Sequence, residues 1–381
     1  MNTVTVSEEQ VRWFRATRLG LATDGFETPI AAAHALLGAQ GQVESSAMLS
    51  LSLRTASHPN ADALTHALTT DRSLVRCWGQ RDTLHVYDAQ DWPLIIAAQA
   101  AWKQTGRRFP SPDSSVIEAG LQVMLDAAAP VTREDLFHVV PEAYVRSWMD
   151  FLGAEHKTAQ RYATGRIFWN LTRRGDACAA GKTGSQQQYV ARKVWLPDLP
   201  WDLPDVDSAN LSCVRRYLAI SAPASPQDVA YHLGASVKDA KRWLALLETE
   251  LVAVDSEGRK GLVALAADAD ALTAEPSAWP TRLLPSYDMK WMSHKDKSWV
   301  TPVLADEKRV WRKAAVVAAC VVHRGQPVAT WTMKKRAKAV DITVEPLSKW
   351  SAELQQAIEP DAMRIAAHLG RPSANVLIAS A

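Results

Sequence analysis

The chain has 381 residues, 47% hydrophobic and 22% charged, with a formal net charge of +2, the balance of an ordinary globular protein of about two to four domains. No run reaches the roughly 18 apolar residues of a membrane span, and the opening MNTVTVSEEQ lacks the basic-then-apolar order of a secretory signal. Cys77, Cys178, Cys213 and Cys320 form neither a CxxC pair nor a zinc spacing, so reduced thiols, a cytoplasmic setting and no iron–sulfur cluster are expected.

In chain order, Ser7-Glu8-Glu9-Gln10 caps a first helix, Pro29–Leu37 forms a second and a third lies near Ser46–Leu53. Leu74–Gly79 and Thr83–Val86 make a hairpin around Gln80-Arg81-Asp82. Thr132-Arg133-Glu134-Asp135 caps a short helix, a longer one covers about Lys157–Leu171, and Asp176–Ala179, a GKTGS turn and Tyr189–Lys193 form a second hairpin. Arg173-Arg174 and Lys182 are placed there to meet phosphate. Pro197–Pro204 reads as a linker.

The clearest segment is Leu211–Leu265. A helix around Cys213–Ile220 precedes Ser225-Pro226-Gln227-Asp228, a capping box with proline at the first helical position. That helix stops at Gly234. After Ser236-Val237-Lys238-Asp239, Ala240, Trp243, Leu244 and Leu247 form an apolar face opposite Lys238, Lys241 and Arg242. Strands Leu251–Val254 and Leu262–Leu265 follow. This order is a winged helix-turn-helix, and the two earlier regions share it. The expected fold is therefore α+β and mainly helical, with three tandem winged helix-turn-helix units at 1–112, 113–204 and 205–381. In the last unit Val316–Val322, Pro327–Thr332 and Val340–Val344 read as strands and Asp361–Leu369 as a capped helix. Basic clusters stand at Arg107-Arg108, Arg173-Arg174, Lys238/Lys241/Arg242 and, most densely, Lys334, Lys335, Arg336 and Lys338 at a hairpin tip. Such a tip either clamps a DNA backbone or protects a sheet edge.

No nucleophile elbow, HExxH or aspartate-rich metal cluster is present. Gly181-Lys182-Thr183 lacks the leading glycine of a phosphate-binding loop. What stands out is Gln40-Gly41-Gln42 between two helices of the first unit. Alternation along an extended stretch aims both amides to one side. A glutamine does not ionise, but two carboxamide oxygens can hold a water and place negative dipoles beside developing positive charge. That suffices where the leaving group departs readily, as a purine alkylated at N3 or N7 does. The plainer alternative is two polar residues capping helix ends.

HALLGAQGQVESSAMLSLSLRT, LVRCWGQRDTLHV, RRYLAISAPASPQDVAYHLGAS, LLPSYDMKWMSHKDKS and VVHRGQPVATW, in that order, resemble the AlkZ-like family of winged-helix DNA glycosylases. The resemblance implies three winged helices in a C-shaped clamp on duplex DNA and monofunctional excision of N-alkylated purines, bulky or crosslinked ones among them. Some family members protect antibiotic producers from their own alkylating product. The family's Gln-aliphatic-Gln motif falls on Gln40 and Gln42, implying catalysis by both. Gly41 departs from the aliphatic middle residue and makes the loop more flexible. The Thr-aliphatic-His element falls on Thr83-Leu84-His85, implying that Thr83 and His85 contact DNA. The resemblance also makes Lys334, Lys335, Arg336 and Lys338 a DNA-probing hairpin. Gln42, where a related subgroup has aspartate, places the chain nearer the resistance-type subgroup. The expected enzyme works without metal or organic cofactor, as a monomer, on double-stranded DNA carrying alkylated purines. Glu44 is the runner-up base. The rival readings are a non-enzymatic winged-helix regulator and an inactive damage sensor.

Overall fold

The computed structural model of the chain describes residues 2–22, 24–104, 109–301 and 303–379, with the side chains of residues 304 and 314 left aside; Arg107-Arg108 lies outside the described residues. It is a mixed α and β fold, about half helical, with small sheets.

The local signals act as their chemistry demands. Ser7 and Gln10 close a reciprocal capping box at the start of helix Glu8–Arg18. Ser225 and Asp228 do the same for Pro226–Leu233, which ends at Gly234 with φ 78°, a left-handed cap that glycine takes without Cβ strain. Ser236 caps Val237–Leu246, which buries Ala240, Trp243 and Leu244. Strands Leu251–Ser256 and Arg259–Leu265 complete that helix–helix–hairpin segment.

Sheet pairing ties distant stretches together. One five-stranded antiparallel sheet runs in the order Ala39–Gln40, Leu84–Asp88, Leu74–Trp78, Ala177–Thr183, Gln186–Ala191. The first and second hairpins thus share a sheet, joined where Arg76 pairs with Ala179. Strand Thr3–Thr5 pairs in parallel with Leu251–Ser256, so the chain's beginning is welded to the third hairpin. A second five-stranded sheet has Ala339–Pro346 and Gln326–Lys335 at its middle, flanked by Ser373–Ile378 on one side and by Cys320–His323 and Arg282–Leu284 on the other.

Some expected elements shift. The strand read over Val316–Val322 is split: Val316–Val317 pairs with Trp311–Arg312, and Cys320–His323 enters the large sheet. The helix read from Asp361 begins at Ala352 and carries Pro360 inside it. Arg173 and Arg174 are not held out for phosphate. Arg173 is buried on Asp82 at 2.9 Å, and Arg174 pairs with Glu118 and Asp176.

Arg54 and Asp288 join the first helical region to the YDMKW stretch. Both are fully buried and the guanidinium bonds the two carboxylate oxygens at 2.7 and 2.8 Å. Ser50 Oγ donates to Asp288, and Arg54 Nε donates to the Leu19 carbonyl oxygen. Removing one partner strands the other charge in the core. Arg54→Ala should cost about 3–5 kcal/mol, seen as a large fall in the thermal midpoint; an unchanged midpoint would contradict this account of the core.

Candidate active site

The glutamine loop is built on the edge of the first sheet. Gln40 pairs across from His85, and Gly41 N–H donates to the Leu84 carbonyl oxygen at 2.7 Å. Arg76 Nε donates to the Gly41 carbonyl oxygen at 2.9 Å. Gly41 is therefore hydrogen-bonded on both sides. A Cβ at Gly41 would lie 3.3 Å from the His85 carbonyl carbon and the Val86 side chain, so the glycine lets the loop sit close on its neighbouring strand.

The two glutamines differ. Gln40 is buried, and its Oε1 accepts from Arg81 Nη2 at 2.8 Å. Gln42 is exposed, with Oε1 accepting weakly from Leu84 N–H at 3.3 Å. A carboxamide oxygen accepts two hydrogen bonds, so each keeps capacity for another donor. Glu44, two residues on, lies 3.1 Å from Arg76 and 3.6 Å from Lys182 and is mostly covered.

His85 is 3% exposed. Its Nδ1 is 3.1 Å from the Thr83 carbonyl oxygen, so Nδ1 carries the proton and Nε2 presents a lone pair to Arg81 at 3.5 Å. Burial first, then the Arg81 charge, pushes its pKa down to about 3. The ring stacks on Tyr87 with centroids 5.6 Å apart. Thr83 is half-buried, and its hydroxyl donates to the Gln80 carbonyl oxygen.

The turn that positions this loop reaches three parts of the chain. Gln80 Nε2 donates to the Leu37 carbonyl oxygen at 2.7 Å, while Tyr87 Oη donates to Gln80 Oε1. Asp82 accepts from Arg173 at 2.9 Å and from Trp169 Nε1 at 3.2 Å. Arg81 Nη1 donates to the His232 carbonyl oxygen at 2.8 Å. Sequence reasoning read these three residues only as a turn. Apart from Tyr87 and His85 close by, their partners lie from 41 to 151 residues away in sequence, and no local pattern announces those.

A cavity of about 300 Å³ opens beside the same region. Ser45 and Ser46 from the start of helix Glu44–Leu53 line it, with Ser286, Arg312, Trp331 and Met333. Trp331 and Met333 belong to the strand that carries Lys334 and Lys335 outward.

Lys334, Lys335, Arg336 and Lys338 stand exposed at the hairpin end. Arg336 pairs with Asp341 at 2.6 Å; among the described residues no carboxylate comes within ion-pair reach of the three lysines. On helix Val237–Leu246, Lys238 and Lys241 are exposed, whereas Arg242 pairs with Asp207. His34, Asp88 and Asp91 bring ligand atoms within 4.8 Å of one another, but Arg216 already binds both oxygens of Asp91 at 2.7 and 2.8 Å.

Polar side chains gathered at a sheet edge, beside a cavity and a basic hairpin with three lysines outside ion-pair reach of a described carboxylate, fit an enzyme that handles a polyanion. Residues 33–368 match the family described as DNA glycosylase AlkZ-like. The chain belongs to that family and is an enzyme of its class, a DNA glycosylase, hydrolysing N-glycosyl bonds. A relative from Streptomyces sahachiroi described as an interstrand DNA cross-link repair glycosylase is 26% identical over 343 residues, covering 87% of this chain and 88% of the relative. The solved structure of the Streptomyces sahachiroi DNA glycosylase AlkZ superposes with a TM-score of 0.80 at 22% identity, covering 98% of this chain and 100% of the other; that likeness establishes the fold. Among the described residues no helix is long and apolar enough to cross a membrane. The four cysteines are buried and unpaired.

The buried histidine gives a pH prediction. A folded-state pKa of about 3 against an ordinary 6.5 means the unfolded chain binds the proton first. The stability from keeping His85 neutral is full above about pH 6.5 and is lost as pH falls toward about 3, at up to about 1.4 kcal/mol per pH unit. His85→Asn should flatten the acid limb of the stability curve by one proton's share. An imidazole signal for His85 titrating near pH 6.5 by NMR would contradict its burial.

Proposed function

We propose that the chain excises purines alkylated at N3 or N7 from duplex DNA as a monofunctional glycosylase, with the attacking water positioned by Gln40 and Gln42. The water oxygen bonds to C1′ as the N-glycosidic bond breaks. The bonding pair returns to the purine and neutralises its cationic ring, and the water's proton passes to solvent. Because the leaving group already carries positive charge, no general acid is required. Neutral carboxamide oxygens are enough to hold the water and to face the developing charge on the sugar.

The observation that carries this reading is the placement of Gln42, exposed on a loop whose backbone is pinned at Gly41 and whose nearest carboxylate in sequence, Glu44, is occupied by Arg76 and Lys182. Glu44 is thereby disfavoured as the base. The cavity behind Ser45 and Ser46 offers apolar walls and hydroxyl groups to a base turned out of the helix, the route glycosylases use to reach C1′. Crosslinked adducts are proposed as substrates from the description of the Streptomyces sahachiroi relative, and bulky ones from the family resemblance.

For DNA binding we propose that three helix–helix–hairpin units at 1–112, 113–204 and 205–381 act as winged helices in a C-shaped clamp on the duplex, in a monomer. Lys334, Lys335, Arg336 and Lys338 grip phosphate at one side. Thr83 contributes from the first hairpin, whereas His85, buried with its ring nitrogens turned to Thr83 and Arg81, supports that hairpin rather than touching DNA.

Two measurements test this. With duplexes carrying N7-methylguanine or a bulky N7 adduct, the protein should generate abasic sites, unaffected by EDTA and without a borohydride-trapped adduct. Gln40→Ala and Gln42→Ala should stay folded and bind DNA but lose excision; wild-type rates in both would remove the loop from the mechanism. Replacing Lys334, Lys335, Arg336 and Lys338 by alanine should make the log–log salt slope of binding shallower by about one unit per lost phosphate contact, up to roughly four. An unchanged slope would mark the run as edge protection.

A further inference from the structure

Arg81 is the least expected residue of the site. It sits in the left-handed region at φ 57°, where a non-glycine residue is uncommon, and Asp82 follows it at φ 56°. The turn holds that conformation because its neighbours are fastened: Gln80 to Leu37 and Tyr87, Asp82 to Arg173 and Trp169. One arm of the guanidinium reaches Gln40 Oε1 at 2.8 Å and faces His85 Nε2 at 3.5 Å. The other arm reaches the His232 carbonyl oxygen at 2.8 Å.

The contact with the 226–246 helical pair is close as well as polar. A Cβ added at Gly234 would lie 2.7 Å from Arg81 N and 2.8 Å from its Cα. Gly234 thus lets the backbone of the turn lie directly on the end of helix Pro226–Leu233. A single side chain therefore spans from the glutamine loop to the helix pair whose second helix exposes Lys238 and Lys241.

We propose that Arg81 is the positioning residue for Gln40, holding its carboxamide in one orientation and tying that orientation to the Pro226–Leu233 helix end. The geometry gives the reason. With Oε1 accepting from Arg81, the remaining lone pair and the amide N–H groups of Gln40 have fixed directions. Without that donor the carboxamide turns freely, because its terminal torsion is broad. His85, neutral and acceptor-only toward Arg81, faces the same Nη2 that bonds Gln40, while Nη1 is held by the His232 carbonyl oxygen, so both arms of the guanidinium are engaged. Arg81 touches neither water nor DNA in this role; it acts through Gln40. The planar fork matters, since one ammonium cannot bond two carbonyl oxygens in the directions Arg81 serves.

This inference rests on the reading that Gln40 and Gln42 position the water, and a double-mutant cycle separates the two. Single-turnover excision would be measured on an N7-methylguanine duplex and on a bulky N7-adduct duplex for wild type, Arg81→Met, Arg81→Lys, Gln40→Ala and the Arg81→Met/Gln40→Ala double variant. Affinity for duplex containing an uncleavable abasic analogue would be measured beside it. Arg81→Met should slow excision by about tenfold to a hundredfold, the span for losing a hydrogen bond to a charged group, with affinity changed by less than about threefold. In the Gln40→Ala background the same change should cost less than about twofold, because its target is gone. Arg81→Lys should recover part of the rate. Hydrogen exchange supplies a readout that needs no substrate: the Gly41 amide should exchange faster in Arg81→Met than in wild type or Arg81→Lys.

Equal losses from Arg81→Met in both backgrounds, or equal rates for the methionine and lysine variants, would overturn the positioning role. So would unchanged Gly41 exchange in Arg81→Met. Slow excision by Gln40→Ala beside normal excision by Arg81→Met would overturn it while leaving the glutamine reading intact. Wild-type excision by Gln40→Ala would remove the glutamine reading itself, and this role with it.

Discussion

The turn Gln80-Arg81-Asp82 is the constraint on which the site's geometry depends. Three consecutive side chains leave it in three directions, to Leu37 before the glutamine loop, to the helix end at His232, and to Arg173 on the long helix His156–Arg174. Two left-handed residues in a row oppose its formation. It persists because each side chain, once placed, satisfies a buried partner that would otherwise lie unpaired. The shared sheet does the same at backbone level, joining the first hairpin to the second through Arg76 and Ala179. The glutamine loop therefore sits where three stretches of chain converge.

The electrostatics of the site follow from the leaving group proposed for it. A cationic purine departs without a proton donor, so an ionisable acid or base next to C1′ adds little. The described residues agree with such an arrangement. His85 is held neutral by burial and by Arg81, and Glu44 is matched with Arg76 and Lys182. Positive charge is fixed instead at the back of the loop, on Arg81, and at the outer hairpin, on Lys334, Lys335 and Lys338. In the proposed roles the first shapes a carboxamide and the second meets phosphate, which would let a chain with a net charge of only +2 grip a polyanion and still present a neutral reaction centre.

What the sequence disclosed was mostly local. Capping boxes at Ser7 and Ser225, the left-handed stop at Gly234 and the apolar face of Ala240, Trp243 and Leu244 work through neighbours within a turn or two, and they form as read. The helix read from Asp361 lacks its first turns because Pro360, ordinarily a breaker of helix interiors, here lies inside Ala352–His368. Strands Thr3–Thr5 and Ser373–Ile378 were missed because each is stabilised by a parallel partner that no adjacent turn announces, and the first is also short. In the site, the spacing of Gln40 and Gln42 drew notice but left the plainer capping reading open, and the family resemblance carried the catalytic expectation; the difference between the two was not legible. Burial of Gln40 and exposure of Gln42 arise from strand Leu84–Asp88 and from Arg81. The pairing of Arg173 with Asp82 was likewise invisible, and Arg173 looked like a phosphate ligand for that reason.

The claim that the reaction centre is a water held by neutral amides meets its most direct test in a crystal structure of the protein with duplex DNA carrying a cationic azaribose in place of the lesion's sugar. The account predicts an ordered water within hydrogen-bond distance of Gln42 Oε1 and below the position of C1′, with Gln40 still bonded to Arg81 and Glu44 still on Arg76. Glu44 released from Arg76 and holding that water, or a lysine nitrogen against C1′, would contradict it.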